Sequence, residues 1–130
     1  MWANAPAKGP VPFEGKGVAP VRTICVQVQP KQSPGLDIEA VARLMLQVAI
    51  GLNTPRFTVV RGRKNAWINF LFEAKALRPV WSELQSGALR DRRLGAALRQ
   101  SAIVTAEGSR GWDNYRLLHH FDDREHLDRI

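Results

Sequence analysis

The chain has one cysteine, one tyrosine and two methionines in 130 residues. With Cys25 alone, no disulfide can form within the chain, which excludes a stapled secreted scaffold and fits a reducing compartment. Long apolar runs are missing: no stretch approaches the roughly 20 residues that cross a bilayer. No charged-then-apolar run at the N-terminus resembles a secretion signal. The expectation is a soluble, cytoplasmic protein without membrane contact. A glycine-rich phosphate loop is also lacking, because Gly15-Lys16-Gly17 has neither a strand nor a helix around it. Cys25 has no basic neighbour nearer than Arg22, and Glu73, Glu83 and Glu107 are scattered in sequence. Neither an activated thiol nor an acid/base pair can therefore be read from the residues, and no cofactor or metal is expected. A non-catalytic protein is favoured over an enzyme.

Acidic side chains are scarce too, with 12 Asp and Glu against 19 Lys and Arg, for a net charge of +7. Of that charge, Lys8, Lys16 and Glu14 account for +1, leaving +6 on the rest of the chain. The excess is therefore not a detachable basic arm. Such a balance favours anionic partners, namely nucleic acid, an acidic protein surface or anionic lipid. Arginine outnumbers lysine 14 to 5, a bias that codon composition alone can produce.

Residues 1–20 hold four prolines and three glycines without periodicity, and read as a flexible arm in which only Trp2 and Phe13 could dock. Residues 21–130 read as one α+β domain of a length that buries a real core. Val21 to Val28 alternates as a strand with Ile24, Val26 and Val28 on one face. After the loop Pro30 to Gly35, Asp37 suits an N-cap, and Ile38, Val41, Ala42, Met45, Val48 and Ala49 follow at helical spacing. Gly51, Asn53 and Pro55 end that helix. Arg56 to Arg61 and Asn65 to Glu73 read as a hairpin across Gly62-Arg63-Lys64. A second helix is expected from near Pro79, broken or kinked at Ser86-Gly87. A strand from Ala102 to Glu107, the turn Gly108 to Gly111 and a last strand from Trp112 to Phe121 complete the pattern. Asp122 to Ile130 reads as a short helix or a frayed end. The order strand–helix–strand–strand–helix–strand is the split βαβ pattern of ferredoxin-like domains, here with a C-terminal extension.

The most informative segment is Arg61-Gly62-Arg63-Lys64-Asn65-Ala66-Trp67-Ile68-Asn69-Phe70. If Ala66, Ile68, Phe70 and Phe72 face the core, Trp67 and Asn69 stand on the other face beside Arg56, Arg61, Arg63 and Lys64. Over eight residues the stretch resembles the third-strand motif of RNA-recognition motifs, with Arg63, Ala66, Trp67, Ile68 and Phe70 in matching positions. It departs from that motif at Lys64, where glycine stands, and at Asn65, where the first stacking aromatic stands. No aromatic near Cys25 supplies the partner motif of the first strand.

The physical reading does not need the resemblance. A base could stack on Trp67 while Arg61, Arg63 and Lys64 meet phosphates and Arg56 supports them, giving weak, salt-sensitive contact with single-stranded nucleic acid. Alternatively Trp67 is covered, either by the final segment with Trp112, Tyr115, Leu118 and Phe121 or by another protein. In the second case the chain is a homodimer or adaptor joined through the aromatic sheet face. Arg92 and Arg99, seven residues apart on a helix, form a secondary basic surface. A third reading is a small enzyme or metal protein using His119, His120, Asp122 and His126, although none of these has the spacing of a closed zinc site.

Overall fold

The computed structural model describes residues 20–130, so the expected arm, with Trp2, Phe13 and Gly15-Lys16-Gly17, lies outside the described residues apart from Pro20. β1 (Arg22–Val28) is followed by a 3-10 turn at Pro30–Gln32 and by α1 (Ile38–Leu52). Asp37 caps α1 by accepting the Ala40 N–H at 3.0 Å. Asn53 ends the helix in the left-handed conformation at φ 53°, which lets its N–H turn back to the last carbonyls.

β2 (Arg56–Arg61) and β3 (Ile68–Ala74) form the hairpin. β3 begins three residues later than the alternation suggests. Lys64 and Asn65 both take φ 54°, which breaks the extended run, and the Gly62 N–H donates to the Trp67 carbonyl at 2.8 Å. Trp67 therefore closes a loop and is not a rung of the sheet.

α2 (Leu77–Glu83) starts two residues ahead of Pro79. Pro79 still falls within the first turn, where its missing N–H costs nothing. The helix then widens into a π turn over Leu84–Leu89, around the expected kink at Gly87, before α3 (Gly95–Ser101). Gly95 is needed there, because a Cβ would come within 2.7 Å of the Leu89 carbonyl oxygen. β4 (Ala102–Gly108) and β5 (Gly111–His120) form the closing hairpin. Of the two forms expected for Asp122 to Ile130, a short helix or a frayed end, the helix does not form. Asp128 instead pins the tail along β5, donating its N–H to the Leu117 carbonyl at 2.7 Å and accepting the Leu117 N–H at 2.9 Å.

Together these elements make one α+β domain with a five-stranded antiparallel open sheet in the order β2-β3-β1-β4-β5 and three helices. In β1, β3 and β4 the residues of one parity, among them Ile24, Val26, Ile68, Phe70, Phe72 and Val104, form the core with Met45, Leu84 and Leu98 of the helical layer. Phe70 is fully buried and stacks on Phe57 of the edge strand β2. Phe70→Ala should therefore lower stability by about 3–5 kcal/mol in urea unfolding, through lost burial and the cavity left behind.

Candidate functional site

The hairpin residues do not form one cluster. Arg56 and Arg61 sit at opposite ends of β2, about 17 Å apart at ~3.3 Å per residue, and their odd spacing sends them to opposite faces. Arg61 lies on the helix side, where its guanidinium meets Glu39 in the first turn of α1 at 3.2 Å. Arg56 leans on Glu73 of the neighbouring strand at 3.7 Å. Asn69 is buried opposite Gln27 and Val60, out of reach of a ligand at the surface.

The loop tip is different. Arg63 and Lys64 are exposed, and no ion pair among the described residues engages either. Trp67 is half-buried, its indole lying against Gly62 so closely that a Cβ there would fall 2.5 Å from the ring. Glycine at position 62 thus lets the ring fold down on the backbone.

The helix-free face of the sheet is closed at its centre. Thr23, Cys25, Gln27, Asn69, Ile103 and Thr105 are all buried, although the core shared with the helices holds only the opposite parity. Gln27 accepts a hydrogen bond from the Gln29 side chain at 2.9 Å. Burial pushes the Cys25 thiol far above its ordinary range, which makes it an inert core group.

Arg92 and Arg99 do not share a helical face, because residues 90–94 form a turn between the π segment and α3. Asp91 organises that turn by accepting the N–H groups of Arg93 and Leu94 at 3.1 and 2.9 Å. Arg99 donates to the Leu89 carbonyl and so closes the turn, while Arg92 points outward.

At the C-terminus, Asp122 grips Arg124 through both carboxylate oxygens at 3.0 and 2.8 Å, and this pairing holds its carboxyl down to about 2. The Asp122 N–H donates to His120 Nδ1 at 2.9 Å. His119 Nε2 lies 3.0 Å from the Arg99 carbonyl. Among the described residues no three His, Cys, Asp or Glu side chains come together to hold a metal.

One concentration of charge was not visible in the sequence. A cleft of about 430 Å³ opens where the start of β1, the β3–α2 junction, the β4–β5 turn and the tail meet. Arg22, Lys75, Arg78, Arg116 and Arg129 line it, with Glu107 as the one acidic side chain among the described residues there. No ion pair among the described residues engages any of the five cations. Glu107 accepts the Thr23 N–H at 3.0 Å. Burial raises its pKa, against the Thr23 hydrogen bond and the Arg22 charge, which favour the carboxylate. These residues span more than a hundred positions and share no motif. Only the β3-β1-β4-β5 order brings them together.

No family model matches the chain, and no curated protein or solved structure matches it either.

Burial depresses the His119 pKa below its ordinary 6.5, helped by the nearby His120 and Arg99 charges and opposed by the Arg99 carbonyl. The unfolded chain then binds the proton more readily than the folded one. Stability is complete above about pH 6.5 and declines as the pH falls toward the depressed value. The denaturation midpoint should therefore rise with pH across this window, and His119→Asn should flatten that rise in urea titrations at several pH values.

Proposed function

We propose that this domain is a small, non-catalytic binding protein whose basic hairpin tip contacts single-stranded nucleic acid. The reading rests on one observation: the partly exposed Trp67 shares its loop with the exposed Arg63 and Lys64, which no ion pair among the described residues engages. A base stacked on the indole would gain about 1–3 kcal/mol, with the two cations neutralising adjacent phosphates. Arg61 joins at the loop's base if it leaves Glu39, an exposed pair that is inexpensive to break. Arg56 and Asn69 take no part in this version of the site, since one lies at the far end of β2 and the other is buried. We also read the order β2-β3-β1-β4, with two helical crossovers, as the ferredoxin-like split βαβ arrangement extended by β5 at its β4 edge.

A second reading, self-association or an adaptor role, has its support at the sheet edge. The buried centre of the helix-free face offers no open platform. β2, however, is an edge strand with Val59 and Val60 both exposed, the kind of edge that accepts another strand.

The two readings separate by fluorescence anisotropy with a labelled oligonucleotide and by light scattering. The first expects binding that weakens steeply with added salt. It also expects Trp67→Ala to weaken binding by about tenfold, within the range for loss of one stacked base. Binding that ignores salt, or no binding at low salt, would remove this reading. A dimer abolished by Val60→Lys would favour the second.

A further inference from the structure

We propose that the basic cleft at the Arg22 end of the sheet is a binding site for a multivalent phosphoryl anion, a pyrophosphate unit either free or carried on a nucleotide. The site is separate from the hairpin tip. β1 and β3 each run seven residues between the two regions, a separation of about 20 Å at ~3.3 Å per residue.

Three observations converge on this assignment. First, the cations come from different parts of the chain, so the cluster is a product of the fold and not a basic run along one exposed helix. Arg22 opens β1 and Arg116 stands on β5 opposite the buried Ala106. Lys75 and Arg78 flank the entry to α2, and Arg129 arrives on the tail pinned by Asp128. Second, no ion pair among the described residues engages these five cations, and the one acidic side chain among the described lining residues, Glu107, already accepts the Thr23 N–H. Holding like charges together raises the energy of the folded state, and an anion in their midst relieves it.

Third, the shape and chemistry suit the ligand. The volume of about 430 Å³ falls within the range of small-molecule pockets, and the buried Leu77 forms part of the wall. Four of the five cations are arginines, whose planar forks match phosphate oxygens in pairs. A single carboxylate or sulfate would satisfy fewer of them than two linked phosphates, which sets the preference for a multivalent anion. Glu107 works against the ligand as a nearby negative charge. Its carboxylate accepts a hydroxyl or amine donor if the ligand brings one.

Isothermal titration calorimetry of the full chain tests this with pyrophosphate, a nucleoside diphosphate, sulfate and an uncharged nucleoside. Pyrophosphate should bind with one-to-one stoichiometry and more tightly than sulfate, and the nucleoside alone should not bind. A nucleoside diphosphate that binds more tightly than pyrophosphate would assign the nucleotide-borne unit, and equal affinities the free anion. The double change Arg22→Ala with Arg116→Ala should weaken pyrophosphate binding by about tenfold or more. Arg63→Ala with Lys64→Ala, at the hairpin, should leave it unchanged while reducing oligonucleotide binding. Glu107→Gln keeps an oxygen for the Thr23 N–H and should tighten the complex. The proposal is overturned if sulfate binds as tightly as pyrophosphate, if both double variants weaken pyrophosphate equally, or if Glu107→Gln loosens binding in a folded protein. Loss of oligonucleotide binding alone would count against the hairpin reading and leave the cleft standing.

Discussion

β1 is paired on both sides, with β3 over its full length and with β4 from Ile24 to Val28, and this double pairing sets the position of nearly every other group. With Ile24, Val26 and Val28 turned toward the helices, strict alternation assigns each residue of β3 and β4 to a face. A slip by one residue would place Phe70 and Phe72 on the side now held by Asn69 and Thr105. The register is thus held by burial on one face, and the second face inherits its chemistry. Thr23, Cys25, Gln27 and Thr105 have neighbours chosen by the packing of the opposite side. The same pairing places Arg22 level with Ala74, next to the start of α2 and the β4–β5 turn, so the cleft's walls follow from the core's register.

The arginines fall into groups set by geometry and not by sequence proximity. Arg56 and Arg61 have acidic neighbours across a strand and across to α1, and Arg124 is held in a fork by Asp122. Such exposed pairs add little stability, but they occupy the guanidinium. Arg99 serves the backbone by closing the turn that follows the π segment. Among the described residues the loop tip, with Arg63 and Lys64, and the cleft are two places where neighbouring cations have no ion pair. One concentration of positive charge, the cleft, thus lies away from the ten residues that stand out on reading the sequence.

The sequence disclosed those features that depend on local pattern. Alternation located β1, Asp37 and Asn53 marked the ends of α1, and Gly87 signalled a disturbance that takes the form of a π turn. The alternation failed at Asn65 and Trp67, because nothing in residue type announces a non-glycine left-handed pair. That pair turns a short hairpin into a loop closed by a Gly62–Trp67 hydrogen bond. Helical spacing likewise suggested one face for Arg92 and Arg99, but Asp91 captures the intervening backbone and splits the helix. Asn69 looked like a surface group because the face without helices was taken to be open, and it is closed. The cleft was beyond any local pattern, since its residues meet only through strand order.

The separation of the two basic regions has an electrostatic consequence. At physiological ionic strength charges are screened over about 8 Å, well short of the ~20 Å between the loop tip and the cleft. Neutralising one region therefore leaves the potential at the other nearly unchanged, and the two could be occupied independently. Their coupling to the fold differs as well. The loop tip hangs beyond the last rungs of β2 and β3, so a ligand there need not alter the sheet. The cleft joins the first residue of β1, the entry to α2, the β4–β5 turn and the tail. An anion bound among them would tie the ends of the core together and stabilise the whole fold by an amount set by its concentration relative to its dissociation constant. A ligand at either region would stabilise the fold only so far as the folded chain binds it better than the unfolded one, and the cleft, whose residues meet only in the fold, meets that condition more fully than the contiguous loop.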